Sequence, residues 1–151
     1  MSTEKYNTNL AAEYYVLSAL HRLGVEANLT LGNKKSVDIV VVRDAGDAAT
    51  VDVKGLAGVT SWPVDNLKEG KANHFIVFVC FLKRIHDLTV VPEVYVVPSE
   101  GVPQFTYTSP GEAKRKVVEL RRMRKEAKQY QNGWHLILKS AGPGPTGGTL
   151  E

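Results

Sequence analysis

Four residues of this 151-residue chain have types and spacings suited to joint chemistry: Glu13, Asp38, Asp52 and Lys54. Asp38 stands inside the apolar run VDIVVV and Asp52 inside TVDVKG, where core residues would be expected. An unpaired buried carboxylate is costly and tends to neutralise, so something must offset each burial. Side chains alternate faces along a strand, which puts Asp52 and Lys54 on one face and Val51 and Val53 on the other. If VDIVV and TVDVK are neighbouring strands of a hairpin, Asp38 comes beside Asp52, and two carboxylates and a lysine converge. Carboxylates held close repel unless a cation sits between them. Hard oxygen donors in that number suit Mg²⁺ or Mn²⁺, which keep several waters and accept phosphate oxygens. Such an ion acidifies a bound water and polarises a phosphate. Lys54 would orient or help deprotonate that water and stabilise the charge that develops. Glu13 falls on the inward stripe of a helix, between Leu10 and Leu17, and supplies a third carboxylate acting through a metal-bound water.

Plainer roles stand beside these. Asp38 can cap a strand end or pair with Arg43 or Lys34. Asp52 and Lys54 can be a surface pair on the solvated face of an edge strand. Glu13 can make an ordinary helix salt bridge.

The elements that must position these residues follow from periodicity. Asn9 can cap a helix with Leu10, Tyr14, Leu17, Leu20 and Leu23 on its apolar stripe, ended by Gly24. EANLTL, VDIVVVR and ATVDVKG read as strands, the last two joined by the turn-rich DAGDA. NLKEGKANH could hold a helical turn. FIVFVCF and EVYVVP are apolar on both faces, so helices should cover the sheet. A basic helix is expected from Pro110 to Tyr130, and GWHLIL as a final short strand or packed turn. The order implies an α/β sandwich around a mixed sheet.

Glu13 on a helix, Asp38 at a strand, and VDVKG with Asp52 and Lys54 together resemble the PD-(D/E)xK nuclease superfamily, the restriction-endonuclease-like fold. The likeness is greatest to small single-domain members such as archaeal Holliday-junction resolvases, and it covers Leu10 to Val97. Val37 stands where the name-giving proline would be. The resemblance implies a three-layer α/β sandwich with a central mixed sheet of about five strands flanked by helices. It further implies Mg²⁺- or Mn²⁺-dependent hydrolysis of DNA phosphodiesters, with Asp38, Asp52 and the backbone carbonyl of Val53 as ligands and Lys54 catalytic. DNA rests on the family alone, since no residue here distinguishes it from RNA. Cutting both strands calls for two sites, so a homodimer is plausible, as is a partner protein needed for activity. The alternative is a noncatalytic nucleic-acid or protein interaction module on the same fold.

The chain is mildly basic, with net charge +3 and pI about 9.0, which permits a polyanionic partner without demonstrating one. The bias concentrates in KRKVVELRRMRKEAK, where Arg121, Arg122, Arg124, Lys114 and Lys116 could grip phosphates, or simply form a solvated face over Val117, Leu120 and Met123. Trp62 could stack on a base or pack a loop against the core. The four histidines show no ligand spacing and are read as structural or surface residues. No Walker loop, GxGxxG or nucleophile elbow is present, which disfavours nucleotide and serine-type hydrolysis. The single Cys80, the short apolar runs and the polar first residues are those of a cytoplasmic protein without a membrane span. One domain is expected over residues 1–139, followed by a disordered Gly/Pro-rich tail at 140–151 ending in a vector-like Leu150-Glu151.

Overall fold

Ser2 opens helix α1 (Thr3–Arg22), its side chain accepting a hydrogen bond from Lys5 N at 3.2 Å. The helix therefore begins about two turns before the expected cap Asn9, because residues 3–7 are exposed and mostly polar and carry no apolar periodicity. Gly24, at φ +86°, closes it: Gly24 N donates to His21 O and Val25 N to Leu20 O, a Schellman arrangement. The buried stripe is Thr8, Ala12, Val16 and Leu20. Tyr14 and Leu23, expected on that stripe, face solvent, and Leu10 and Leu17 lie on its flanks. Small Ala12 and Val16 let the helix sit close to the sheet, so the seam follows them and not the largest side chains.

The computed structural model describes residues 2–30, 37–44 and 46–139. Lys34 and the expected tail at 140–151 lie outside them. Strands β1 (Glu26–Leu29), β2 (Ile39–Val42) and β3 (Ala48–Leu56) form an antiparallel meander. The chain then leaves through β4 (Ser61–Pro63) and returns as β5 (His74–Cys80), parallel to β3, before β6 (Glu93–Pro98) pairs antiparallel with β5. The result is a mixed five-stranded sheet in the order β1-β2-β3-β5-β6, the α/β arrangement the sequence implies. All seven residues of β5 are buried, as a strand covered on both faces requires.

α1 covers one face over Ile39, Val41, Val51, Val53, Val77 and Val79. The opposite face carries Ile76, Phe78, Tyr95 and Val97 under a second layer. That layer contains β4, β7 (Thr106–Thr108) and β8 (Lys116–Glu119), joined as a small sheet in the order β4-β8-β7, with helix α2 (Leu120–Glu126) following. The expected helix over 110–130 is thus much shorter. Adjacent Val117 and Val118 favour a strand, and β8 gains backbone partners on both edges. NLKEGKANH forms turns without a helix, and GWHLIL contains the short helix α3 (Trp134–Leu138), whose Ile137 joins the α1 side of the core. No helix among the described residues is long and apolar enough to cross a membrane.

Candidate active site

The hairpin register sets the first part of the site. Ile39 pairs with Val51, so Asp38, one residue before β2, lies beside the Val51–Val53 stretch of β3 that contains Asp52. Asp38 N extends the ladder to Val51 O at 3.0 Å, and its carboxylate Oδ2 accepts from Val53 N at 2.7 Å. β2 begins only at Ile39, so the Asp38 side chain takes the donor that another strand residue would otherwise satisfy. Val53 presents its carbonyl toward the same edge as its N–H. Asp38 is therefore a strand-end cap as well as a half-buried carboxylate beside Asp52. It does not turn to Arg43, which pairs with Asp47 at 3.3 Å at the other end of β2.

Asp52 and Lys54 share this face as strand alternation dictates, with Val51 and Val53 buried beneath α1. Asp52 is paired with His74, not Lys54: His74 Nε2 lies 3.1 Å from Asp52 Oδ2, and Nδ1 lies 2.7 Å from Thr50 Oγ1. The Asp52 side chain is 23% exposed and that of His74 only 7%. Protein donors thus offset part of the burial that the sequence leaves to a cation.

The sequence alone assigns His74 a structural or surface role. It adjoins the site because β5 runs parallel to β3, setting His74 opposite Thr50 and diagonal to Asp52. The only sequence signal is a polar residue opening an otherwise apolar strand.

α1 delivers Glu13 near the far end of β3. A Cβ on Gly55 would lie 2.9 Å from the Thr8 carbonyl oxygen and 3.0 Å from Ala12 Cβ, so glycine is what lets the helix cross immediately after Lys54. Glu13, next to Ala12, is half-buried on the edge of the stripe, engaged by a partner, and not on its centre line. Among the described residues, no three His, Cys, Asp or Glu side chains gather into a metal-holding group. Mg²⁺ and Mn²⁺ ask a protein for as few as one or two carboxylates and take other oxygens from water and phosphate. Asp38, Asp52 and the Val53 carbonyl match that donor chemistry.

The remaining expected residues lie elsewhere. Trp62 is fully buried, donates from Nε1 to Val79 O at 3.1 Å and packs edge-on against Phe78, so it is a core residue with no face left for a base. Arg124 forks onto Glu93, and Arg122 donates to Gln104 O at 2.6 Å. Arg121, Lys114 and Lys116 are exposed. Arg121, Arg122 and Lys125 line a cavity of about 410 Å³ with Glu119 and Glu126. A second, of about 460 Å³, has Val64, Leu67, Ile76 and Val102 in its wall and Lys68 and Lys116 among its polar residues. Its Ile76 is the register partner of Asp52. Cys80 is a buried thiol pushed up from its ordinary pKa by burial, in keeping with an inert core role.

No family model and no curated protein matches this chain. Among solved structures it is similar to a bacterial homing endonuclease, I-Ssp6803I, with a TM-score of 0.55 at 20% sequence identity, over 89% of this chain and 92% of that one. At that identity the likeness concerns the fold, and the chain thus has a nuclease-like α/β fold, with Asp52 and Lys54 on its central strand β3 and Asp38 just before the neighbouring β2.

Proposed function

We propose that this protein is a divalent-metal-dependent nuclease of the PD-(D/E)xK type that hydrolyses DNA phosphodiester bonds. The observation that carries the reading is the Asp38 carboxylate hydrogen-bonded to Val53 N, between Asp52 and Lys54 on the neighbouring strand, in a fold shared with a homing endonuclease. Bound Mg²⁺ or Mn²⁺ supplies neutralisation of the phosphate charge and an acidified water. Asp38, Asp52 and the Val53 carbonyl are the groups that would hold it, with Glu13 acting through a water. Lys54 places its ammonium on the same face, where it orients the attacking water and offsets the charge that grows on the phosphate oxygens. Exposed Arg121, Lys114 and Lys116 add phosphate contacts whose contribution falls with added salt.

The noncatalytic platform has one observation in its favour: both aspartates already accept hydrogen bonds from protein donors. The two readings separate in a single experiment. Mn²⁺ is titrated calorimetrically into the wild type and Asp52→Asn, and the same samples are given branched, linear and single-stranded DNA, with RNA of equal length alongside. The nuclease reading expects metal binding and DNA cutting that disappear together in the variant. DNA binding with neither metal uptake nor cutting in the wild type would leave the platform as the function.

A further inference from the structure

We infer that His74 is a positioning residue: locked between Thr50 and Asp52, it holds one oxygen of Asp52 so that the other is presented to the metal. The inference rests on the metal-nuclease reading and adds to it a residue outside the proposed ligand set.

His74 is the one polar side chain in a seven-residue strand that is otherwise apolar and wholly buried. Valine there would pack without the cost of burying two ring nitrogens. The imidazole is tolerated because both nitrogens are engaged, by Thr50 Oγ1 at 2.7 Å and Asp52 Oδ2 at 3.1 Å. The chemistry of the partners assigns the proton. A carboxylate only accepts, so Nε2 carries the hydrogen and donates to Oδ2. With the ring neutral, Nδ1 is then the acceptor and the Thr50 hydroxyl donates to it. The parallel register makes this bridge geometrically direct, since Thr50 faces His74 across the pair and Asp52 follows two residues later on the same face.

The consequence falls on Asp52. With Oδ2 held, rotation of the carboxylate is restrained and Oδ1 is the oxygen left for a cation beside Asp38, favouring one-oxygen coordination. Groups that orient a ligand in this way typically change metal affinity by about 10- to 100-fold when removed.

The test uses the full chain. Mn²⁺ is titrated calorimetrically into wild type, His74→Ala, His74→Gln and Thr50→Val, each checked for cooperative thermal unfolding in EDTA. Histidine ring protonation is read by ¹⁵N NMR in the metal-free wild type. The expected result is an Nε2-protonated His74, Mn²⁺ affinity weakened about tenfold or more in His74→Ala, and a smaller loss in Thr50→Val. Glutamine, whose amide nitrogen can replace the Nε2 donor, should return affinity to within about threefold of wild type. A ring protonated only at Nδ1 overturns the inference, and the NMR arm and Thr50→Val decide it even if His74→Ala does not fold. Wild-type Mn²⁺ affinity in a folded His74→Ala, or loss in His74→Gln as complete as in His74→Ala, overturns it while leaving the nuclease reading intact. A wild type that binds no Mn²⁺ removes both.

Discussion

Two carboxylates mark the two ends of β5 on the same sheet face, and they are held very differently. At the far end, Glu93 of β6 stands opposite Cys80 and is saturated: Arg124 forks onto it with contacts of 2.8, 3.0 and 3.2 Å, and the Tyr95 hydroxyl donates at 2.6 Å. Arg124 holds the Glu93 carboxyl below its ordinary value of 4.5, while burial, reinforced by Glu93, pushes the Tyr95 hydroxyl above its own. At the near end, Asp52 meets a single imidazole donor. A carboxylate already matched by a permanent guanidinium and a phenol has no capacity left for a cation, whereas one met by a single N–H keeps an oxygen for one. Glu93 thus belongs to an ion pair that holds the second layer to the sheet, whereas Asp52 is held by one imidazole.

The sharpest way to break this contrast is to neutralise each acid in turn. Asp52→Asn should abolish Mn²⁺ uptake and lower cleavage by about a hundredfold or more. It should leave the fold within about 1 kcal/mol of wild type, because the amide oxygen can still accept from His74. Equal metal affinity in the two proteins would remove Asp52 from the site.

Gly55→Ala should cost about 1–3 kcal/mol by forcing α1 away from β3. Because α1 also carries Glu13, Mn²⁺ affinity and unfolding temperature should fall together. A drop in stability alone would detach Glu13 from the metal.

Glu93→Gln should do the reverse of Asp52→Asn, lowering stability by about 1–2 kcal/mol at neutral pH with Mn²⁺ affinity unchanged. Its pH dependence has a definite sign. The folded carboxyl is held below its ordinary value of 4.5, so the stability of the pair is fully present above that pH and is lost as pH falls through the lowered value. The gap between wild type and Glu93→Gln should therefore narrow in thermal unfolding series taken from about pH 7 to about pH 3. A gap that widens in acid would mean the Arg124 pair is not its source.

The smallest effect is expected on the basic face. Arg121→Ala should reduce the slope of log DNA affinity against log salt by about one unit without altering stability. Arg124→Ala should instead lower stability through Glu93, with little change in that slope. Equal slopes for Arg121→Ala and wild type would make the face a solvated one.

The local features of the candidate site were legible because strand alternation and hairpin connection act over a few residues. Asp52 and Lys54 share a face, Asp38 lies beside β3 as a hairpin of the two strands requires, and Gly24 ends α1. The start of α1 is not legible because its first turn is polar and exposed and the first residue it buries is Thr8, which carries no apolar signal. The sequence predicts helix over β8 because the strand there depends on partners distant in the chain. For Trp62 the sequence allows stacking on a base or packing against the core, and the layer folded over Phe78 decides for the core.

The sequence by itself determined that Asp52 and Lys54 lie together on a face, since period-two alternation along a strand leaves no other choice. The tertiary structure alone decided that His74 braces Asp52, that Arg124 is occupied by Glu93, and where α1 sits above Gly55. Those contacts arise from a parallel strand pairing, a cross-layer ion pair and a helix-to-sheet approach, each joining residues too far apart in the chain for local periodicity to record.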